Sequence, residues 1–145
     1  MRVVLQVVNH ANVIIDKKLH NEIGKGYLLL VGIGKEDTEE VVKEMAQKIS
    51  KLRVFQDENG KTNLDIYAVN GEVLSISQFT LYANTKGSNR PDFLNAASRE
   101  KASYLYDYFN KELASKNIIV KNGIFGADMK VNLENDGPFT LFLEI

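Results

Sequence analysis

A chain of 145 residues with 44% hydrophobic content is sized for one domain around one core, residues 1–145. Its 18 basic and 19 acidic side chains nearly cancel, which excludes the overall charge signature of a nucleic-acid binder and leaves any RNA contact to be argued locally. The absence of cysteine excludes a thiol nucleophile, a disulfide framework and any cysteine-ligated zinc or iron–sulfur centre.

Residues 3–8 and 11–16 read as β-branched, apolar strands, with Asn9-His10 as a bend between them and Asp16-Lys17-Lys18 as a turn. The polar residues Gln6, Asn9, His10 and Asn12 break this start before the apolar core of a signal peptide can form. No later run approaches the roughly 20 apolar residues of a membrane span. The expected location is therefore the cytoplasm, with no membrane partner. Residues 27–31 form a continuous apolar run suited to a strand buried on both faces, closed by Gly32 and Gly34. A helix follows, with Asp37 as the expected N-cap, Glu40 three residues on, and Val41, Met45, Ile49 and Leu52 along one face.

A short strand near Val54-Phe55, a turn at residues 57–60 and a strand over 63–69 lead to Asn70-Gly71, which signals a hairpin. The strand expected over 72–82 places Val73, Ser75, Ser77 and Phe79 on one face and Leu74, Ile76, Gln78 and Thr80 on the other. After a polar loop over 84–91 comes a second helix, with Asp92 as its expected cap and Ala97, Leu105, Tyr108, Phe109 and Leu113 as its core stripe. Strands over 118–121, 129–134 and 139–145 complete the chain, with Asn135-Asp136-Gly137-Pro138 as a turn between the last two. The fold class is α+β: a single domain with a curved, mostly antiparallel sheet or barrel and two main helices.

Much familiar chemistry is ruled out. His10 and His20 have no nucleophile or second ligand at a recognisable spacing, and no serine sits in a Gly-x-Ser-x-Gly elbow. Gly60-Lys61-Thr62 resembles the end of a P-loop, but Phe55 stands where the first glycine is required. Gly32 and Gly34 lack the rest of a dinucleotide fingerprint, and no carboxylate cluster has a metal-loop pattern. Neither a metal nor a cofactor is expected. Between positions 84 and 130 eight Lys or Arg face five Asp or Glu, a surplus that suits a phosphate-facing rim or an ordinary solvated surface.

Two segments stand apart. Ser77-Gln78-Phe79-Thr80-Leu81 carries polar residues within an apolar strand; read alone, these hydrogen-bond within the fold or face a ligand. Asp136-Gly137-Pro138 alone is a turn. Taken as Ser-Gln-Phe-Thr-Leu-Tyr-Ala at residues 77–83 and Asn-Asp-Gly-Pro at residues 135–138, and together with Arg90-Pro91, Phe-Gly-Ala-Asp-Met at residues 125–129, Asn63-Leu64 and Asp-Thr-Glu-Glu at residues 37–40, these blocks resemble the D-aminoacyl-tRNA deacylases along the whole chain.

The resemblance implies a carboxylic ester hydrolase that frees D-amino acids from tRNA and so edits mischarged tRNA. It implies a homodimer in which a cis Gly137-Pro138 of one subunit enters the other subunit's pocket, no DNA partner, and rejection of L-amino acids by that rigid main chain. Glycyl-tRNA then passes the filter. The backbone N–H groups around Phe79 and Thr80 are expected to stabilise the oxyanion, with the Thr80 hydroxyl as an alternative nucleophile, and the terminal adenosine's 2′-OH assists the attacking water. Ser77, Gln78, Gly137 and Pro138 are expected to bind substrate, and Ala102 leaves room for the amino-acid side chain. Phe125 and Met129 either hold the adenine or pack in the core. One departure is visible: the family's first strand usually reads Gln-Arg-Val, its arginine supporting the Gly-Pro motif, whereas here Val7 follows Gln6. Arg2 or Arg53 is the expected substitute, failing which the motif is looser. Rival readings are the related deacylases specific for L-alanine, whose motif resembles Pro-Gln-Ala-Thr, and a non-catalytic RNA-binding module.

Overall fold

The computed structural model describes residues 1–145 and is organised by its first strand. β1 (Arg2–Ile15) buries Val3, Leu5 and Val7 in one core and Val8, Ala11 and Val13 in another. Strand side chains alternate with period two, so this switch of face needs a slip in phase. Register shifts between Gln6 and His10 provide it. The expected bend at Asn9-His10 is thus an irregularity inside one continuous strand, the kind of device that re-aims side chains without ending the ladder. At the end of β1, Asp16 and Lys17 both adopt positive φ, 50° and 64°, and turn the chain into β2 (Lys18–Ile23). β2 escaped the sequence reading because only Ile23 in it is buried, so it shows no apolar pattern.

β3 (Gly26–Gly32) is the continuous apolar run and pairs antiparallel with the first half of β1. Its other edge pairs parallel with β6 (Glu72–Ser77), which pairs parallel with β7 (Ile119–Asn122). Parallel neighbours need long crossovers. These run through α1 (Glu39–Lys51) and α2 (Arg99–Ala114). β8 (Lys130–Glu144) lies antiparallel along the other edge of β1. Asn21 Nδ2 donates to the Asn122 carbonyl at 2.7 Å and Lys121 Nζ to that of Glu22 at 2.8 Å, drawing β2 beside β7 so that the sheet nearly closes as a barrel. A smaller hairpin, β4 (Phe55–Gln56) with β5 (Thr62–Leu64), stands apart from it. Val8, Val13, Ile23, Leu28, Leu74 and Ile76 fill the barrel interior, while the larger core packs the opposite sheet face against both helices.

Several local expectations are corrected. Thr38, not Asp37, caps α1, its side chain accepting from Val41 N. Asp37 instead accepts from the Met1 ammonium and from the Gly34 N–H, each at 2.6 Å. Ser98, not Asp92, caps α2, so Ala97 precedes the helix; its buried stripe is Ala102, Leu105, Tyr106, Phe109 and Leu113, with Tyr106 in the place expected of Tyr108. The strand expected over 63–69 ends at Leu64, and Asn70-Gly71 is a turn into a parallel strand rather than a hairpin. The strand expected over 72–82 stops at Ser77, and the final two strands are one, with Gly137-Pro138 within it.

Candidate functional site

Ser77 closes β6, and the Gln78 N–H makes a last sheet contact with the Val31 carbonyl at 2.7 Å. The chain then tightens into a 3-10 turn, Phe79–Tyr82, instead of continuing as a strand. The opposing strand permits this close approach. A Cβ on Gly32 would lie 3.1 Å from both the Gln78 carbonyl oxygen and Leu81 Cβ. Arg2 fastens the far end, with Nη1 donating to the Leu81 carbonyl at 2.9 Å, Nε to Glu144 at 2.7 Å, and the guanidinium 4.5 Å from the centre of the Tyr82 ring. Tyr82 reaches Asp37 at 3.4 Å, and burial and that carboxylate push its phenol well above the usual 10.

The first N–H groups of a helical turn have no partner within it. Here Leu81 N–H reaches the Gln78 carbonyl and Ala83 N–H that of Thr80, but the N–H groups of Phe79 and Thr80 find no acceptor outside the turn. Two adjacent free donors on a fixed turn are the arrangement that stabilises developing negative charge. The Thr80 hydroxyl accepts from Gln78 Nε2, and no histidine or carboxylate pairs with it. His10 instead faces Glu134 at 2.9 Å on an exposed strand.

Beside this turn lies a cavity of about 580 Å³, 11 of whose 16 lining residues are hydrophobic. That volume falls in the range of small-ligand sites, roughly 300–1,000 Å³. Ser77, Gln78, Phe79, Ala102, Phe125 and Met129 all line it, so residues from three distant stretches of sequence meet there. Phe79 is 57% exposed and stacks edge-on against Phe93, 4.8 Å between ring centres. Phe125 lies 6.1 Å from the ring of Tyr106, and the Met129 sulfur sits where a Cβ on Gly123 would otherwise be. Thr80 is next to the cavity but not in its wall.

Sequence reasoning missed Tyr106 and Arg99, which also line the cavity. Tyr106 was legible as the i+4 partner of Ala102 on the buried face of α2. Its hydroxyl donates to the Ser75 carbonyl at 2.8 Å, and burial holds the phenol above its usual range, so it is a wall and a donor rather than a base.

Gly137 and Pro138 do not line this chain's cavity; they are exposed, joined by a cis peptide bond, within β8. Neither arginine considered as their support touches them. Arg2 holds Leu81, and Arg53 holds Asn63. Val7 is buried in the large core. The bend is braced by Asn135, whose Oδ1 accepts from the Phe139 N–H at 3.1 Å and whose Nδ2 donates to the Thr140 hydroxyl at 2.8 Å.

The family model of D-Tyr-tRNA(Tyr) deacylase matches residues 4–144. The chain belongs to the D-aminoacyl-tRNA deacylase family. It is 57% identical over 145 residues to the D-aminoacyl-tRNA deacylase of Lactobacillus acidophilus, covering 100% of both chains. It is 58% identical to that of Limosilactobacillus reuteri over 144 residues, 99% of each. Among solved structures, the c-Myc DNA Unwinding Element Binding Protein superposes with a TM-score of 0.93 at 39% identity, covering 100% of this chain and 99% of that one. A probable eukaryotic D-amino acid tRNA deacylase, 17% identical with a TM-score of 0.88 over 99% and 98% of the two chains, shares the fold. The chain is thus an enzyme, a deacylase of D-aminoacyl-tRNA.

Proposed function

We propose that the cavity seats the 3′-terminal aminoacyl-adenosine of tRNA, with the ester carbonyl against the free N–H groups of Phe79 and Thr80. That pair of unpartnered donors, beside a largely apolar cavity, carries the reading. Ser77 and Gln78 orient the ester, and Phe125 and Met129 flank the adenine, whose flat face suits aromatic and sulfur contacts. Ala102 leaves room for the amino-acid side chain. The terminal adenosine's 2′-OH assists the attacking water, so the protein supplies position and desolvation rather than a base.

The working enzyme is a homodimer in the cytoplasm. β8 pairs with β1 on one side only, and its other edge, 15 residues long with Phe142 57% exposed, suits a second copy. Gly137 and Pro138 of the partner subunit then reach the cavity mouth and leave space at the substrate Cα for hydrogen but not for an L side chain. D-Tyrosyl-tRNA and glycyl-tRNA are hydrolysed, and L-tyrosyl-tRNA is spared.

Thr80→Ala tests the chemistry, since it removes the hydroxyl and keeps the N–H. Single-turnover hydrolysis of D-tyrosyl-tRNA should stay within about fivefold of the parent enzyme, whereas losing an oxyanion donor costs about 10²–10³-fold. A loss of that size in a folded variant would make the hydroxyl the nucleophile. Inertness toward glycyl-tRNA would sink the chiral filter as drawn.

A further inference from the structure

Arg99 is the first residue of α2 and lines the cavity wall. Its guanidinium lies flat against Gly126: a Cβ there would sit 2.7 Å from Nη2 and 3.2 Å from Cζ. Gly126 has φ +76° and no side chain, so the backbone comes up to one face of the guanidinium of the otherwise exposed Arg99. Within the chain the group is unpaired. It forms no ion pair, and the one carboxylate in the same wall, Asp128, is taken by Lys130 at 2.9 Å. Glu100 and Asp107 border the neighbouring depression, yet neither forms an ion pair with it. The position is also unfavourable for a cation, because the N-terminal end of a helix carries partial positive charge. An anion beside Arg99 would offset both charges.

We propose that Arg99 binds the phosphodiester on the 5′ side of the terminal adenosine, an inference that rests on the cavity seating the aminoacyl-adenosine. A planar guanidinium matches two phosphate oxygens with two parallel N–H donors, and the cavity wall holds no other arginine or lysine. Arg99 therefore sets affinity for tRNA over free aminoacyl-nucleoside, leaving the ester chemistry to the turn at Phe79–Tyr82.

The test uses two amide-linked, non-hydrolysable analogues, 3′-D-tyrosylamino-3′-deoxyadenosine with and without a 5′-phosphate methyl ester, as competitors of D-tyrosyl-tRNA hydrolysis. The parent enzyme should bind the phosphorylated analogue about five- to tenfold more tightly, a preference that weakens with added salt. R99Q should bind the two alike, and R99K should keep part of the preference as a point charge. G126A, which displaces the guanidinium, should lower the preference while R99Q/G126A shows no further loss. Absence of a preference in the parent enzyme, or a preference that survives R99Q, overturns the assignment, as does equal weakening of both analogues by R99Q. If neither analogue competes with the parent enzyme, the seating of the aminoacyl-adenosine is wrong; if the unphosphorylated one competes and only the preference is missing, Arg99 alone is misassigned.

Discussion

Gly32→Ala should slow the enzyme from behind the site, by pressing on the main chain of the turn rather than by removing any group proposed to contact substrate. The new Cβ would stand 3.1 Å from the Gln78 carbonyl oxygen, 3.1 Å from Leu81 Cβ and 3.4 Å from Leu81 Cδ1. Two of these neighbours are near-rigid parts of the segment that bears Phe79 and Thr80, so the turn must move by a few tenths of an ångström. A misplacement of about 1 Å costs roughly 10²-fold in rate. Scaled log-linearly, a shift of about 0.3–0.5 Å corresponds to roughly a four- to tenfold fall in the single-turnover rate on D-tyrosyl-tRNA. Overpacking at a buried position also costs about 1–3 kcal/mol, which at about 2–4 °C per kcal/mol lowers Tm by roughly 2–12 °C. Gly24→Ala is the control, because nothing lies within 4 Å of a Cβ there. A Gly32→Ala enzyme that loses stability but keeps its full rate would refute the coupling between β3 and the proposed role of the Phe79–Tyr82 turn; one that keeps both would refute the packing itself.

Other perturbations probe the supports around the site. Asp37→Ala strands the Met1 ammonium, whose side of the 2.6 Å pair is 0% exposed, and should cost about 3–5 kcal/mol in a denaturant titration; a loss under about 1 kcal/mol would contradict the burial of that pair. Asn135→Ala removes two hydrogen bonds at the Gly137-Pro138 bend, about 1 kcal/mol each, and should reduce discrimination between D- and L-tyrosyl-tRNA by up to about 30-fold. Unchanged selectivity would show that the bend is held elsewhere. In strong base the fold should weaken: burial raises the phenols of Tyr27 and Tyr106 above their usual 10, so the stability they confer is complete below pH 10 and falls as pH rises toward their folded values. The loss between pH 9 and pH 11 should be smaller in Tyr27→Phe, and an identical loss would disconnect it from that residue.

How much of this was legible beforehand follows from where each signal lives. Elements with a full apolar period, such as β3 and the face of α1, were readable because burial itself wrote the pattern. β2 was invisible for the opposite reason: its pairing is carried by backbone, and five of its six residues are not buried. The turn at Phe79–Tyr82 was read as strand because the strand-forming run from Val73 continues through it without a Gly or Pro; what accompanies the break is the approach of Gly32 and Arg2 from elsewhere in the chain to Gln78, Leu81 and Tyr82. Asp37 was taken for a helix cap because Asp and Thr are both good caps, and only the position of Met1 decides between Asp37 and Thr38.

The site divides along the same line. Ser77, Gln78, Phe79, Ala102, Phe125 and Met129 were named from the resemblance, and they meet around one cavity. Arg99 carried no such signal, since an arginine opening a helix on an exposed face reads as solvated charge; its meaning depends on Gly126 lying against it across 27 residues of sequence. Val7 is the reverse case, a sequence departure that pointed to a missing cation near Gly137-Pro138. The fold answers it with a neutral brace, Asn135, already inside the motif. An amide that accepts from Phe139 N–H and donates to Thr140 braces the bend without a buried charge to desolvate, so Val7 in place of an arginine leaves the Gly137-Pro138 bend supported.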